Sequence, residues 1–132
     1  MNPPVVIDAS AGVELLLNTS TGSALRAKLP AQAVEWVPEV YYAEVAAVLR
    51  RAELAGRITT PRTAAAISRL LAAPLRRVQV KPLLAEAWTL RHNITVPDAL
   101  YVVLARHLGA ELVTVDVKLA NAPGIGVPVI QP

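Results

Sequence analysis

Short runs of apolar, β-branched residues alternate with helical patterns along this chain of 132 residues. Val5–Ile7 and Leu112–Val115 are two such runs, and each leads through an aspartate into a helical pattern. Short strands separated by helices are typical of a parallel sheet, because parallel neighbours need a crossover connection. This alternation constrains the fold most strongly, and it predicts an α/β protein with a mostly parallel sheet covered on both faces.

The rest of the chain continues the alternation. Helices are expected over Thr21–Leu29, Glu39–Ala55, Leu83–Arg91 and Ala99–Leu108, and strands over Val34–Val37, Leu75–Val80 and Val127–Ile130. Thr60 is a good N-cap for a further helix, because Pro61 then takes the first helical position. Thr95 and Asp98 have the spacing of a capping box at the start of the last helix named.

Composition narrows the class of protein. Hydrophobic residues make up 54% of the chain and cysteine is absent, so a disulfide scaffold and intrinsic disorder are both excluded. The longest uninterrupted apolar stretch, residues 99–105, is far shorter than the ~20 residues of a membrane-spanning helix. We expect one domain over residues 1–132, without a membrane segment and located in the cytoplasm.

Four carboxylates are candidates for a functional site. Asp8 and Asp116 follow predicted strands, and ligands of parallel sheets bind outside the carboxyl ends of the strands. Asp98 lies in the first turn of a helix. Glu44 lies inside a helix among apolar neighbours, and a buried carboxylate is costly unless it is paired or holds a metal ion.

Each of these acids also has a purely structural explanation. Asp8 and Asp116 suit helix N-caps equally well. An acid in the first turn, such as Asp98, is favoured by the helix dipole in any protein. Glu44 has Arg51 two helical turns further on, on nearly the same face, as an alternative partner.

The joint pattern favours a metal site. Four converging carboxylates would repel one another, and a divalent cation removes that repulsion. A set of oxygen ligands without cysteine is the coordination chemistry of Mg²⁺ or Mn²⁺ and not that of structural zinc. Magnesium usually shares its ligands with substrate phosphates, so phosphoryl transfer or phosphodiester hydrolysis is the expected chemistry.

These acids lie in segments that together resemble the PIN-domain family, and specifically the VapC-type toxins of bacterial toxin–antitoxin systems. The segments are VVIDAS at residues 5–10, PEVYYAEVAAVLR around Glu44, PDALYVVLA at residues 97–105 and LVTVD at residues 112–116. None is specific alone, but their order along the whole chain makes the match strong.

The resemblance implies a three-layer α/β/α sandwich and a metal-dependent endoribonuclease. It implies inhibition by a VapB-type antitoxin and a homodimeric state. Asp8 and Asp98 are expected to bind Mg²⁺ (or Mn²⁺) directly, Glu44 and Asp116 to hold its waters, and an acidified water to attack the phosphate. The family positions that assist these acids are matched by Ser10 and Thr114.

Two positions depart from the family pattern. Ala47 replaces an asparagine that many relatives have three residues after the glutamate, which removes a polar contact. Lys118 replaces a further acid found in some PIN nucleases, which favours one metal ion over a firmly bound pair.

Positive charge is concentrated in residues 50–91, which carry nine basic and two acidic residues. RNA is a polyanion, and contacts from arginine to its phosphates give affinity without reading sequence. The candidates for such contacts are Arg50, Arg51, Arg57, Arg62 and Arg69. The alternative for each is an ordinary solvated helix face.

The aromatic residues and histidines are assigned structural roles. The core or an interface is the expected place for the aromatic side chains, which are Trp36, Tyr41, Tyr42, Trp88 and Tyr101. His92 and His107 are expected to be structural or to lie at the surface, and His107 is placed near a helix C-terminus, where a cation is favoured.

Two other functions compete with the nuclease. A phosphoaspartate receiver or phosphatase is disfavoured because Asp8 is followed by Ala9 and Ser10, where those enzymes need a second acid. An inactive PIN-fold RNA-binding module is disfavoured because all four acids are present.

Overall fold

A computed structural model describes residues 2–132 of the chain. The strands are β1 (Pro4–Ile7), β2 (Val34–Pro38), β3 (Arg76–Val78), β4 (Glu111–Val113) and β5 (Val129–Ile130). The helices are α1 (Ala9–Leu17), α2 (Ser20–Lys28), α3 (Val40–Leu54), α4 (Thr60–Ala72), α5 (Lys81–Trp88), α6 (Val96–Leu108) and α7 (Val117–Ala120).

The five strands form one parallel sheet in the order β3-β2-β1-β4-β5. Val6 of β1 lies opposite Trp36 of β2 on one side and Leu112 of β4 on the other. The chain builds outward from β1 to β3 and then returns to β4, so the strand order reverses between β1 and β4. Such a reversal leaves a crevice at the carboxyl ends of the two strands. Asp8 and Asp116 follow those two ends.

Helices cover both faces of this sheet. Side chains of a strand alternate between the two faces, yet Val5, Val6 and Ile7 are all at most 1% exposed. A parallel strand buried on both faces requires a layer on each side. Helix α6 packs against β1, β2 and β4, and α1 packs against α3 and α4. The predicted α/β sandwich with a parallel central sheet is confirmed.

Helix α1 approaches α3 closely because Gly12 has no side chain. A Cβ atom added at Gly12 would lie 2.1 Å from the hydroxyl oxygen of Tyr41 and 2.7 Å from its ring. Tyr41 is therefore able to lie across α1, where it is 3% exposed. This contact holds the start of α3, the helix that carries Glu44, against the helix that follows Asp8.

Several elements begin or end at other residues than the sequence pattern indicates. Thr59, and not Thr60, occupies the N-cap position of α4, and Pro61 is the second residue of that helix. Proline is tolerated there because the first amide groups of a helix have no partner within it. Strands β4 and β5 are shorter than predicted, since they end at Val113 and begin at Val129.

No helix within residues 2–132 combines the length and the apolar character needed to cross a membrane.

Candidate active site

Asp8 lies at the centre of the candidate site, immediately after β1. Asp8 is 3% exposed, and its Oδ1 accepts a hydrogen bond of 2.9 Å from the amide of Ala11. Asp8 is therefore the N-cap of α1, as the structural explanation holds. The N-cap hydrogen bond uses one lone pair of Oδ1. The rest of the carboxylate is available for a second role.

Two hydroxyl groups hold the carboxylate of Asp8 in place. Ser10 Oγ donates to Oδ1 at 2.7 Å, and Thr114 Oγ1 donates to Oδ2 at 2.5 Å. Thr114 follows β4, so its bond links the chain after β4 to the residue that follows β1. The positions predicted to assist the acids thus both contact Asp8 directly.

The pKa of Asp8 is raised above its ordinary value. Burial is the main cause, and the negative charge of Asp98 adds to it. The hydrogen bonds from Thr114, Ala11 and Ser10 act in the opposite direction without cancelling the effect of burial. No positively charged group is among these causes, so none of them neutralises the charge of ionised Asp8.

Asp116 lies beside Asp8, and Thr114 connects the two. The amide of Asp116 donates to Thr114 Oγ1 at 3.0 Å. Its own Oδ1 caps α7 by accepting from the amides of Lys118 at 2.9 Å and Leu119 at 3.2 Å. Oδ2 of Asp116 accepts no hydrogen bond within residues 2–132, so one carboxylate oxygen remains open to a ligand.

Asp98 interacts electrostatically with both other aspartates. It is in the first turn of α6, where its amide donates to the hydroxyl of the N-cap residue Thr95 at 3.2 Å. Burial raises the pKa of Asp98, the Thr95 hydroxyl opposes this, and the charge of Asp116 raises the pKa further. Because Asp98 also acts on Asp8, the three carboxylates form a continuous electrostatic chain.

Glu44 joins this group through Tyr101. The hydroxyl of Tyr101 donates to Glu44 Oε1, with 2.5 Å between the oxygens. Burial raises the pKa of Tyr101, and the charges of Glu44 and Asp8 raise it further. Arg51 is exposed and is not the partner of Glu44 within the described part of the chain.

A cleft of about 240 Å³ opens beside Asp98 and Asp116, between the start of α6 and α7, and Asp8 and Glu44 are not among its lining residues. Asp98, Asp116 and Lys118 all line it. No group of three or more His, Cys, Asp or Glu side chains within residues 2–132 is arranged to hold a metal ion by itself. The acids are neighbours in pairs, so a cation here would take further ligands from water or from a substrate.

Tyr101 is the site residue that sequence reasoning placed only in the core. It is indeed buried, at 1% exposed. Its hydroxyl is the signal for a role beyond packing, because a buried tyrosine usually needs a hydrogen-bond partner. The sequence did not show which acid provides that partner.

The candidate arginines divide into two groups. Arg62 donates to the carbonyl of Leu17 at 3.2 Å, and Arg69 donates to that of Leu16 at 2.7 Å, so both stabilise the C-terminal end of α1. The remaining three are exposed, and their side chains have no hydrogen-bond or ion-pair partner within residues 2–132. These three are Arg50, Arg51 and Arg57.

The histidines lie at the surface, and His107 has the predicted structural role. It is near the C-terminus of α6, and its Nε2 lies 2.9 Å from Glu86 Oε1. Trp88 was expected in the core or at an interface, and it is not in the core, because it is 56% exposed within this chain. It is near the end of α5, and the core contacts of that helix come from its other face.

The sequence matches the family described as PIN domain over residues 5–125. It is 43% identical over 124 residues to Ribonuclease VapC3 of Mycobacterium tuberculosis, a match that covers 92% of this chain and 90% of that protein.

Two solved structures share the fold. VapC20 of M. tuberculosis, described as a sarcin-ricin loop cleaving toxin, superposes with a TM-score of 0.69 at 19% identity, covering 97% of this chain and 99% of that chain. VapBC2 of Rickettsia felis, bound to a DNA fragment from their promoter, gives a TM-score of 0.65 at 13% identity over 96% of each chain.

Proposed function

Since this chain belongs to the PIN-domain family and is of the VapC type, we propose that it is an endoribonuclease toxin. It hydrolyses RNA phosphodiester bonds at the acids beside Asp8, with Mg²⁺ as cofactor and Mn²⁺ as a possible substitute. The name of its 43% identical relative, a ribonuclease, supports the reaction class. Asp8 and Asp116 after the two central strands, with Asp98 at the start of α6 and Glu44 on α3, support this position for the site.

The environment of Asp8 is the observation that carries the metal dependence. A carboxylate that is 3% exposed and lies beside another acid needs a positive charge when it ionises. The surrounding ligand atoms are carboxylate and hydroxyl oxygens, which suit Mg²⁺. Magnesium is typically held by one or two carboxylates together with water and substrate phosphates.

The side chains of the proposed site have different roles. Asp8 and Asp98 would hold the ion, while Glu44 and Asp116 would orient water beside it. Ser10 and Thr114 fix the direction of the Asp8 carboxylate, and Tyr101 fixes that of Glu44. When bound, Mg²⁺ supplies a more acidic water and neutralises charge on the phosphate.

The exposed arginines of α3 and the turn after it are the proposed contacts to the RNA backbone. Arg50, Arg51 and Arg57 have no partner within residues 2–132 and are free to bind phosphates. Arg62 and Arg69 already bind carbonyls of α1, so their contribution to RNA binding is expected to be smaller.

The proposed partners are a VapB-type antitoxin, which would inhibit the enzyme, and a second copy of this chain in a homodimer. Support for the antitoxin comes from the solved VapBC2 structure, in which a protein of this fold is part of a VapBC pair. Support for the homodimer comes only from the resemblance to the family.

Cleavage of total RNA tests the proposal. We expect cleavage with Mg²⁺, none with EDTA, and none from Asp8→Asn. Glu39→Gln is the matched control, because it removes one negative charge from an exposed acid outside the site. Cleavage that survives both EDTA and Asp8→Asn would contradict the proposed site. Binding of RNA without cleavage by the wild type would favour an inactive RNA-binding module instead.

The arginine assignment has its own test. Reversing two charges in Arg50→Glu/Arg51→Glu should weaken RNA binding at low salt and leave folding nearly unchanged, because both side chains are exposed. The control Arg26→Glu/Lys28→Glu changes net charge equally on α2, outside the basic segment. Equal affinity of the two double variants would remove Arg50 and Arg51 from the RNA path.

A further inference from the structure

Trp88 belongs to an apolar depression that is separate from the acid cleft. The depression has a volume of about 680 Å³ and is lined by Lys81, Leu84, Ala85, Trp88 and Val96. Trp88 is 56% exposed and Leu84 is 44% exposed, although both are large apolar side chains. We call this surface the Trp88 patch.

A guanidinium group lies over the indole of Trp88. The Cζ atom of Arg91 is 4.8 Å from the ring centroid, and Arg91 Nη1 donates to the carbonyl of Trp88 at 2.9 Å. The hydrogen bond holds the guanidinium next to the ring, where the cation and the π system attract each other. The patch thus combines an exposed aromatic ring with two cations, Arg91 and Lys81.

The first turn of α6 separates the Trp88 patch from the acid cleft. Val96 lines the patch, whereas Thr95 and Asp98 line the cleft. A strand of RNA with its phosphate at Asp98 therefore has the Trp88 patch on the other side of one helical turn.

We propose that the Trp88 patch binds an unpaired base of the RNA next to the cut site, by stacking on the indole face that Arg91 does not cover. This inference rests on the proposed ribonuclease function. Aromatic rings and arginine planes are what proteins use to stack unpaired bases, and the cations at Lys81 and Arg91 match the adjoining phosphates.

A second copy of this chain is the competing occupant of the patch. In a two-fold contact the same surface meets itself, so Lys81 of each copy would face a patch whose lining residues include no acid. Like charges brought together oppose association. The same lining complements the negative charge of RNA, which is why the observations favour the nucleic acid.

Fluorescence of Trp88 provides the direct test. The chain has two tryptophans, so Trp36→Phe leaves Trp88 as the sole indole. The probe is a short single-stranded RNA of mixed sequence, titrated in EDTA so that it stays intact, and the comparison is an abasic oligomer with the same number of phosphates. We expect the RNA to quench Trp88 and the abasic oligomer to leave it nearly unchanged.

Affinity measurements with variants complete the test. Trp88→Ala should weaken RNA binding about tenfold and Trp88→Phe, which keeps a ring, about threefold or less. Binding of the abasic oligomer should be unchanged. The control is Leu71→Ala, which shortens another large apolar side chain that is 77% exposed and lies elsewhere, on α4.

Three results would overturn the inference. They are absence of quenching, equal loss of affinity for RNA and the abasic oligomer, and dissociation of a dimer by Trp88→Ala with RNA affinity unchanged. The last result would assign the patch to a second copy. Failure of the ribonuclease proposal is distinguishable, because a wild type that stacks bases without cutting RNA keeps this site and loses only the catalytic assignment.

Discussion

The hydroxyl of Tyr101 donates a hydrogen bond of 2.5 Å to Oε1 of Glu44. Tyr101 lies in α6 and Glu44 in α3, so the bond joins two helices that contribute acids to the same site. Burial raises the pKa of Tyr101 and the nearby carboxylates raise it further. The hydroxyl therefore keeps its proton at neutral pH and remains a donor to Glu44.

Loss of this donor should impair catalysis. Tyr101→Phe leaves the ring in the core and frees the carboxylate of Glu44 to rotate. We expect RNA cleavage to fall by about 10- to 100-fold, as is typical when a partner of a site ligand is removed. The free energy of unfolding should fall by only about 1 kcal/mol. Initial cleavage rates and urea unfolding measure the two effects.

Tyr42→Phe is the matched control, because it removes a hydroxyl from α3 that makes no hydrogen bond within residues 2–132. Its cleavage rate should equal that of the wild type. If Tyr101→Phe also cleaves at the wild-type rate, the bond to Glu44 serves only the packing of the two helices.

The positions of Asp8 and Asp116 were predictable because each depends on a local signal, an apolar run that changes into a helical pattern. The partner of Glu44 was not predictable in this way. Tyr101 is 57 residues away in sequence, and only the packing of α6 against the sheet brings it to α3. Arg51 was the nearer candidate, but its side chain points to solvent.

Thr114 should be important for stability as well as for the site. It is 0% exposed, donates to Asp8 and accepts from the amide of Asp116. Thr114→Val has nearly the same shape but leaves both groups without this partner, so we expect a loss of about 1–3 kcal/mol in urea unfolding. Thr114→Ser keeps the hydroxyl and should retain more of the stability. Equal midpoints for Thr114→Val and the wild type would show that other groups satisfy Asp8 and Asp116.

Trp88 shows where sequence patterns are insufficient. Apolar residues recur along α5, but the helix buries only Leu83 and Ala87 fully, which leaves Leu84 and Trp88 on the outer face. A short helix that follows an edge strand has a narrow contact with the core. Helix α5 has apolar residues on more than one face. The face that is buried depends on how the chain returns to the sheet, which is a matter of tertiary structure.

Gly12→Ala should destabilise the contact between α1 and α3. The new methyl group would lie 2.1 Å from the Tyr41 hydroxyl oxygen, so the tyrosine must move. Overpacking of this kind typically costs about 1–3 kcal/mol. Combining Gly12→Ala with Tyr41→Leu should cost less than the two single losses added together, because the shorter side chain makes room for the methyl group. Additive losses in thermal or urea unfolding would show that the clash is relieved in another way.

Glu35 should make the stability of the fold depend on pH. It is half-buried on β2; burial raises its pKa above the ordinary value of 4.5, and Arg26 opposes this. An acid with a raised pKa in the folded state binds more protons there than in the unfolded chain, so its favourable contribution is fully present below pH 4.5. The contribution is lost as the pH rises through the folded-state value. Glu35→Gln should therefore raise the melting temperature at neutral pH and lose this advantage below pH 4.5. Melting curves across this range, compared with the exposed Glu39→Gln, measure the effect; a benefit of Glu35→Gln that is the same at every pH would mean that ionisation of Glu35 is not its cause.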